Sequence, residues 1–255
     1  MCIMKIKANA KINIGLNVVS KRPDGYHNLE TVFYPVDMCD YLEITPTTGD
    51  VTTLQVKGIQ VDSSMQDNLV YKAYMLLKQD FDIAAVNIVL EKNVPFGAGL
   101  GGGSSDAANT LKALNTMFSL GLGDAELEQY AVRLGADCPF FIKNKPVYAT
   151  GIGNEFHPIE LDLSGYQIKV VKPDVNVSTA VAYRGITPKP SEFNLLNLSK
   201  LPLTEWKDYV KNDFEESVFP QFPKIKELKE DMYSKGAVYA AMSGSGSAVF
   251  GIFKK

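Results

Sequence analysis

The sequence predicts an α+β fold in two subdomains. Strand-like alternation dominates the first 57 residues, and strands and helices then follow without a regular βαβα repeat. The chain changes character again beyond about residue 160. A length of 255 residues suits two modest domains, assigned here to 1–160 and 161–255.

Taken in order, residues 3–9 and 11–19 alternate like a half-buried strand pair, and 29–37, 40–46 and 51–57 continue in that manner. A helix opens at Asp67, where Leu69, Ala73, Leu76 and Leu77 share one face. Residues 84–91 alternate as a strand. A glycine-rich turn over 95–103 leads into an alanine-rich helix at 104–117, and a further helix over 124–134 stops at Gly135. Beyond the boundary come a strand at 166–171, a short helix at 178–183 and a Pro- and Asn-rich stretch at 187–202. Helices at 205–219 and 222–235 follow, then closing strands at 237–242 and 247–253.

Composition excludes several function classes. Hydrophobic residues make up 45% and charged residues 22%, as in an ordinary soluble domain. The net charge of −3 comes from 26 basic and 29 acidic residues that are evenly mixed, so no basic stripe offers itself to nucleic acid. The three cysteines (Cys2, Cys39, Cys138) form no C-x-x-C pair, which argues for a reducing compartment and against a cysteine zinc site. His27 and His157 alone do not make a histidine metal cage. No stretch is long and apolar enough to span a membrane, and the amino terminus reads as a strand, so the expected location is the cytoplasm.

The most informative segment is Pro95-Phe96-Gly97-Ala98-Gly99-Leu100-Gly101-Gly102-Gly103-Ser104-Ser105. Its glycines let backbone amides approach a ligand closely, and the loop runs into a helix start with its unpaired N–H groups. Together these make an anion site, most commonly for phosphate. Ser104, Ser105 and Asp106 are placed to cap the helix, and the serines also suit phosphate oxygens or a metal ion. Gly97, Gly99 and Gly102 satisfy G-x-G-x-x-G, but Asn93-Val94-Pro95-Phe96 separate them from the strand and no acidic residue ends a second strand downstream. Walker A and protein-kinase motifs are absent.

That loop is very close to the ATP-binding motif of the GHMP kinases. Ala10-Lys11-Ile12-Asn13-Ile14-Gly15-Leu16 resembles the family's first motif, and Met242-Ser243-Gly244-Ser245-Gly246-Ser247-Ala248 its third, in the correct order. Arg22-Pro23-Asp24-Gly25-Tyr26-His27, Leu29-Glu30-Thr31-Val32-Phe33 and Gly135-Ala136-Asp137-Cys138-Pro139-Phe140-Phe141 resemble the diphosphocytidyl-methylerythritol kinase branch, with Cys138 standing where that branch usually has valine. The resemblance runs from Lys7 to Phe253 and has no anchoring motif between 185 and 210.

The resemblance implies a ribosomal protein S5 domain 2-like amino-terminal part and a ferredoxin-like carboxy-terminal part. It implies ATP and Mg²⁺, and a small-molecule acceptor, 4-diphosphocytidyl-2-C-methyl-D-erythritol, phosphorylated on its 2-hydroxyl. Asp137 becomes the candidate base and Lys11 its partner in charge stabilisation. Asn13, on the same strand face as Lys11, is a candidate for the reacting end of the substrate. Tyr26 and His27 are candidates for the cytosine, with Tyr183 closing the other side or serving as a core aromatic. Ser245 and Gly246 are candidates for substrate phosphates, residues 95–105 for ATP, and Asn68 for either the adenine or a plain helix start. No ligand for Mg²⁺ is assigned. The competing readings are another GHMP kinase, a non-catalytic nucleotide-binding protein on the same fold, and, more distantly, a Rossmann oxidoreductase.

Overall fold

The computed structural model describes residues 3–60 and 64–255, which leaves Cys2 outside the described residues. The described residues pack into two units, one within 1–10, 37–96 and 101–144, the other within 11–36, 97–100 and 145–255. Strands β1 (Met4–Lys21) and β2 (His27–Pro46) contribute to both.

In the first unit the second half of β2 pairs antiparallel with β4 (Val86–Lys92), and β3 (Thr53–Gly58) pairs with β4 in parallel. Parallel neighbours need a crossover. It is supplied by α1 (Leu69–Asp80), whose start is capped by Asn68 Oδ1 accepting the Val70 amide at 2.9 Å. The alanine-rich stretch forms α2 (Gly102–Met117), with Ala107, Ala108, Leu111 and Leu114 buried as it packs on α1, α3 (Asp124–Val132) and α4 (Phe140–Lys143).

In the second unit the first half of β2 pairs with β5 (Val147–Thr150), which forms a hairpin with β6 (Glu155–Pro158). A separate sheet has the order β7 (Tyr166–Val171), β9 (Val249–Lys254), β8 (Tyr239–Met242). The helices α5 (Thr179–Arg184), α6 (Trp206–Tyr209), α7 (Phe214–Val218) and α8 (Pro223–Ser234) complete this unit. Its core joins Leu16, Val18, Phe214, Val218, Ile225, Met242 and Val249.

Several elements differ from the sequence reading. The expected strands at 29–37 and 40–46 are one 20-residue strand, β2, and α4, β5 and β6 lie where the sequence reading had no element. The expected strand pair at 3–9 and 11–19 is one 18-residue strand. Its alternation stops at Ala10, and residues 10–16 are buried without a break, so both faces are covered there. The expected helix over 205–219 is broken between α6 and α7. The Leu16 amide donates to Lys211 O at 2.8 Å and the Asp213 amide to Leu16 O at 2.8 Å, so pairing with β1 overrides helical pattern. The serines expected to cap α2 do not: the helix begins earlier, at Gly102, behind a left-handed Gly101 with φ of 68° and no side-chain cap. Among the described residues no helix is long and apolar enough to cross a membrane.

Phe250 is fully buried in the central strand of the three-stranded sheet, opposite Val170 and Ala241. Phe250→Ala is expected to cost about 3–5 kcal/mol, read from the urea midpoint at unchanged slope. A loss below about 1 kcal/mol would contradict this packing.

Candidate active site

Burial of residues 10–16 on both faces sets a severe condition for the polar residues among them. Lys11 is 4% exposed and Asn13 3% exposed, so each needs partners inside the protein. The Lys11 ammonium donates to Asn13 Oδ1 at 2.7 Å and to the Gly99 carbonyl at 3.2 Å, and lies 4.5 Å from the Phe33 ring centroid. Asn13 Nδ2 donates to Thr31 Oγ1 at 3.1 Å, and the Thr31 hydroxyl donates to Gly15 O at 2.5 Å. The third motif closes the network, since Ser243 Oγ donates to Gly99 O at 3.0 Å and accepts the Asn13 amide at 3.2 Å.

Glycine is required where these segments touch. Gly99 has φ of +76°, and a Cβ there would run into the Ser243 carbonyl. Gly244 has φ of +56°, and its Cβ would lie 3.2 Å from Gly99 Cα and 3.3 Å from Asn13 Oδ1. The third turn is held from behind by Asn212, whose amide donates to Met242 O and Gly244 O, both at 2.8 Å. Beside it, Ser245 Oγ lies 3.3 Å from Thr179 Oγ1, and Gly246 has φ of +87°.

The aromatic candidates lie in the same unit. Tyr26 is 62% exposed at the end of the Pro23-Asp24-Gly25 turn. His27 stacks on Tyr183 with centroids 4.7 Å apart and 22° between planes, and Tyr183 meets Phe214 edge-on. The ring face expected to receive a base is therefore covered by His27.

In the first unit, Phe96 is exposed, and Gly102, Gly103 and Ser104 form the first turn of α2. They precede its first helical bond, from the Ser105 amide to Gly101 O. Such amides have no intrahelical acceptor and face outward at the positive end of the helix dipole. Ser105 Oγ does not face outward: it is fully buried and accepts Asn109 Nδ2 at 3.2 Å. Asp137 is half-buried in the turn between α3 and α4. Its neighbour Cys138 is inert, because burial pushes the thiol up to about 11. Among the described residues no three His, Cys, Asp or Glu side chains gather as a metal site.

Family models agree with this arrangement: the GHMP kinases N terminal domain matches residues 68–145 and the GHMP kinases C terminal domain residues 197–255. A relative from Bacteroides fragilis named 4-diphosphocytidyl-2-C-methyl-D-erythritol kinase is 56% identical over 247 residues, covering 96% of this chain and 90% of its own. The chain belongs to the 4-diphosphocytidyl-2-C-methyl-D-erythritol kinase family of the GHMP kinases. Among solved structures, a 4-(cytidine 5'-diphospho)-2C-methyl-D-erythritol kinase superposes with a TM-score of 0.85 at 34% identity, covering 98% of this chain and 90% of that one. The homoserine kinase from Cytophaga hutchinsonii shares the fold, with a TM-score of 0.70 at 16% identity over 98% of this chain and 85% of its own.

The structure thus brings Lys11, Asn13 and Gly99 together, and His27 with Tyr183. Asn68 is the cap of α1, the helix-start role left open in its sequence. Thr31, Ser243 and Asn212 were not singled out by sequence, although each is buried and holds a motif in place. The Ser-Gly-Ser-Gly string contained Ser243 and the Leu29–Phe33 string contained Thr31, whereas no motif marked Asn212.

In a GHMP kinase built this way, Gly99→Ala must push the Ser243 carbonyl aside. Displacements of about 1 Å near reacting groups cost on the order of 10²-fold in rate. The expected result is a turnover loss of that order in protein that still melts cooperatively. Turnover within threefold of the parent would contradict the contact.

Proposed function

We propose that the chain transfers the γ-phosphoryl group of Mg-ATP to the 2-hydroxyl of 4-diphosphocytidyl-2-C-methyl-D-erythritol, a step of the non-mevalonate route to isoprenoid precursors. The observation that carries this reading is the meeting of all three motifs at the Gly99 carbonyl, with a buried lysine among them. A lysine in a strand covered on both faces has a strong reason to exist only if charge is needed there.

In this reading the loop amides of residues 97–103 and the first turn of α2 bind the nucleotide phosphates, with Pro95, Phe96, Ser104 and Ser105 shaping the loop around them. Asp137 takes the proton of the 2-hydroxyl as its oxygen bonds to the γ-phosphorus. The bond to the β,γ-bridging oxygen breaks, and its electron pair leaves with ADP. Lys11 offsets the negative charge gathered at the transferring group, and Asn13 orients the hydroxyl-bearing end. Mg²⁺ arrives with the nucleotide. No protein ligand is assigned to it: Ser105 Oγ accepts from Asn109 on its own helix, and such an ion needs only one or two protein oxygens beside the phosphates.

The cytosine stacks on Tyr26 and Tyr183, and His27 moves off the Tyr183 face to hydrogen-bond the base edge. Ser245 and Gly246 contact the substrate diphosphate, and Asn68 borders the adenine from its cap position. ATP and a cytidylated polyol are cytoplasmic metabolites, so the chain is assigned to the cytoplasm. A domain boundary near residue 160 separates these segments in sequence only, because Gly99 of the loop packs on Ser243 and Gly244 of the third turn.

The test is ADP release from Mg-ATP with this substrate, with homoserine and mevalonate run in parallel. Turnover with the cytidylated substrate alone is expected, and turnover with either other alcohol would discard the cytosine contacts. Asp137→Asn is expected to lower kcat roughly 10²–10⁴-fold. Base stacking worth about 1–3 kcal/mol predicts that Tyr26→Ala raises KM for the cytidylated substrate roughly 5- to 150-fold, with KM for Mg-ATP unchanged.

A further inference from the structure

Three ionisable side chains of the first unit are buried with no part in the transfer. Lys92, at the end of β4, is 4% exposed at its side chain, Asp40 in β2 is 0% and Asp106 in α2 is 2%. The Lys92 ammonium pairs with Asp40 Oδ2 and, at 2.7 Å, with Asp106 Oδ2. Asp106 Oδ1 is the one buried side-chain oxygen or nitrogen among the described residues without a hydrogen-bond partner. A well-packed apolar trio would be as stable as such a cluster or more so, so its stability alone does not explain it.

Its geometry does. The other oxygen of Asp40 accepts the amides of Asn93 at 2.6 Å and Val94 at 2.8 Å, the two residues leading from β4 into the glycine loop. Asp106 lies on α2 just after that loop, so Lys92 ties the segment before the loop to the helix after it. Gly102 completes the closure: a Cβ there would lie 2.9 Å from Val94 Cγ1 and 3.4 Å from Asp40 Oδ2.

We infer that Asp40, Lys92 and Asp106 form a buried clamp that fixes both ends of the glycine loop, at Val94 and Gly102, and thereby sets its affinity for Mg-ATP. The inference rests on the nucleotide role given to the loop above. These are positioning residues, and none touches substrate.

The clamp carries an excess charge. Burial, reinforced by Asp40 and opposed by Lys92, pushes Asp106 up to about 7 from 3.8. Between those values the folded protein binds more protons than the unfolded chain, so stability falls as pH rises through that window. Asp106→Asn leaves a neutral Asp40–Lys92 pair beside an amide. It is expected to flatten the decline of Tm between pH 5 and 7.

Asp40→Asn removes the charge that holds the Asn93 and Val94 amides. The expected result is a KM for Mg-ATP raised at least about tenfold, with KM for the cytidylated substrate within about twofold. Unchanged KM for Mg-ATP in cooperatively melting protein, or equal rises in both, would overturn the inference. If this variant does not fold, hydrogen exchange in the parent protein decides. Slow exchange of the Asn93 and Val94 amides without nucleotide supports the clamp, whereas fast exchange there overturns it. Parent protein that never turns over Mg-ATP would overturn the functional reading instead, and the same two amides would still test the clamp.

Discussion

The carbonyl oxygen of Gly99 is the point on which the rest of the site depends. It accepts from the Lys11 ammonium and from the Ser243 hydroxyl, residues 88 and 144 positions away in the chain. A carbonyl with two lone pairs satisfies both donors at once, and only a residue without a side chain lets it stand so close to the third turn. Lys11 is a buried cation that also donates to Asn13, which is itself fixed by Thr31 and by Ser243. Loss of any one member leaves a buried donor or acceptor without its partner, which costs more than the bond contributed.

This network explains why β1 does not end where its pattern changes. Alternation describes a strand with one wet face, and residues 4–9 follow it. From Ala10 both faces are covered, so polar residues persist there only with internal partners. The same strand then fixes the chain near Asn212, whose side chain holds the third turn. Backbone pairing at Leu16 and the amide of Asn212 therefore share one task, holding the Met242–Gly244 turn in place from behind.

What the sequence made legible follows from the range of each signal. Local periodicity located β7 at residues 166–171 without error and α8 to within a residue at each end. The three glycine-bearing motifs were readable because close backbone approach leaves a compositional mark. Residues 205–219 were misread because their structure depends on a strand almost 200 positions earlier, and no local pattern records that pairing. The helix start was misread for a related reason. Serine, the commoner cap, was favoured, whereas here a left-handed glycine starts the helix and the side chain of Ser105 turns inward. Asn212 looked like an ordinary polar residue, and Thr31 stood within a motif without a role of its own, because only burial distinguishes their side chains.

The central claim is that Lys11 and Ser243 act through one shared acceptor, and a double-mutant cycle on kcat tests it most directly. Lys11→Met, Ser243→Ala and the double variant would be compared with the parent under saturating Mg-ATP and cytidylated substrate. Groups in one hydrogen-bonded network couple by about 0.5–3 kcal/mol, so the double variant should lose less than the summed losses of the single ones. Losses that add within about 0.3 kcal/mol would mean that the two side chains act independently, and the convergence on Gly99 would not be the basis of the site.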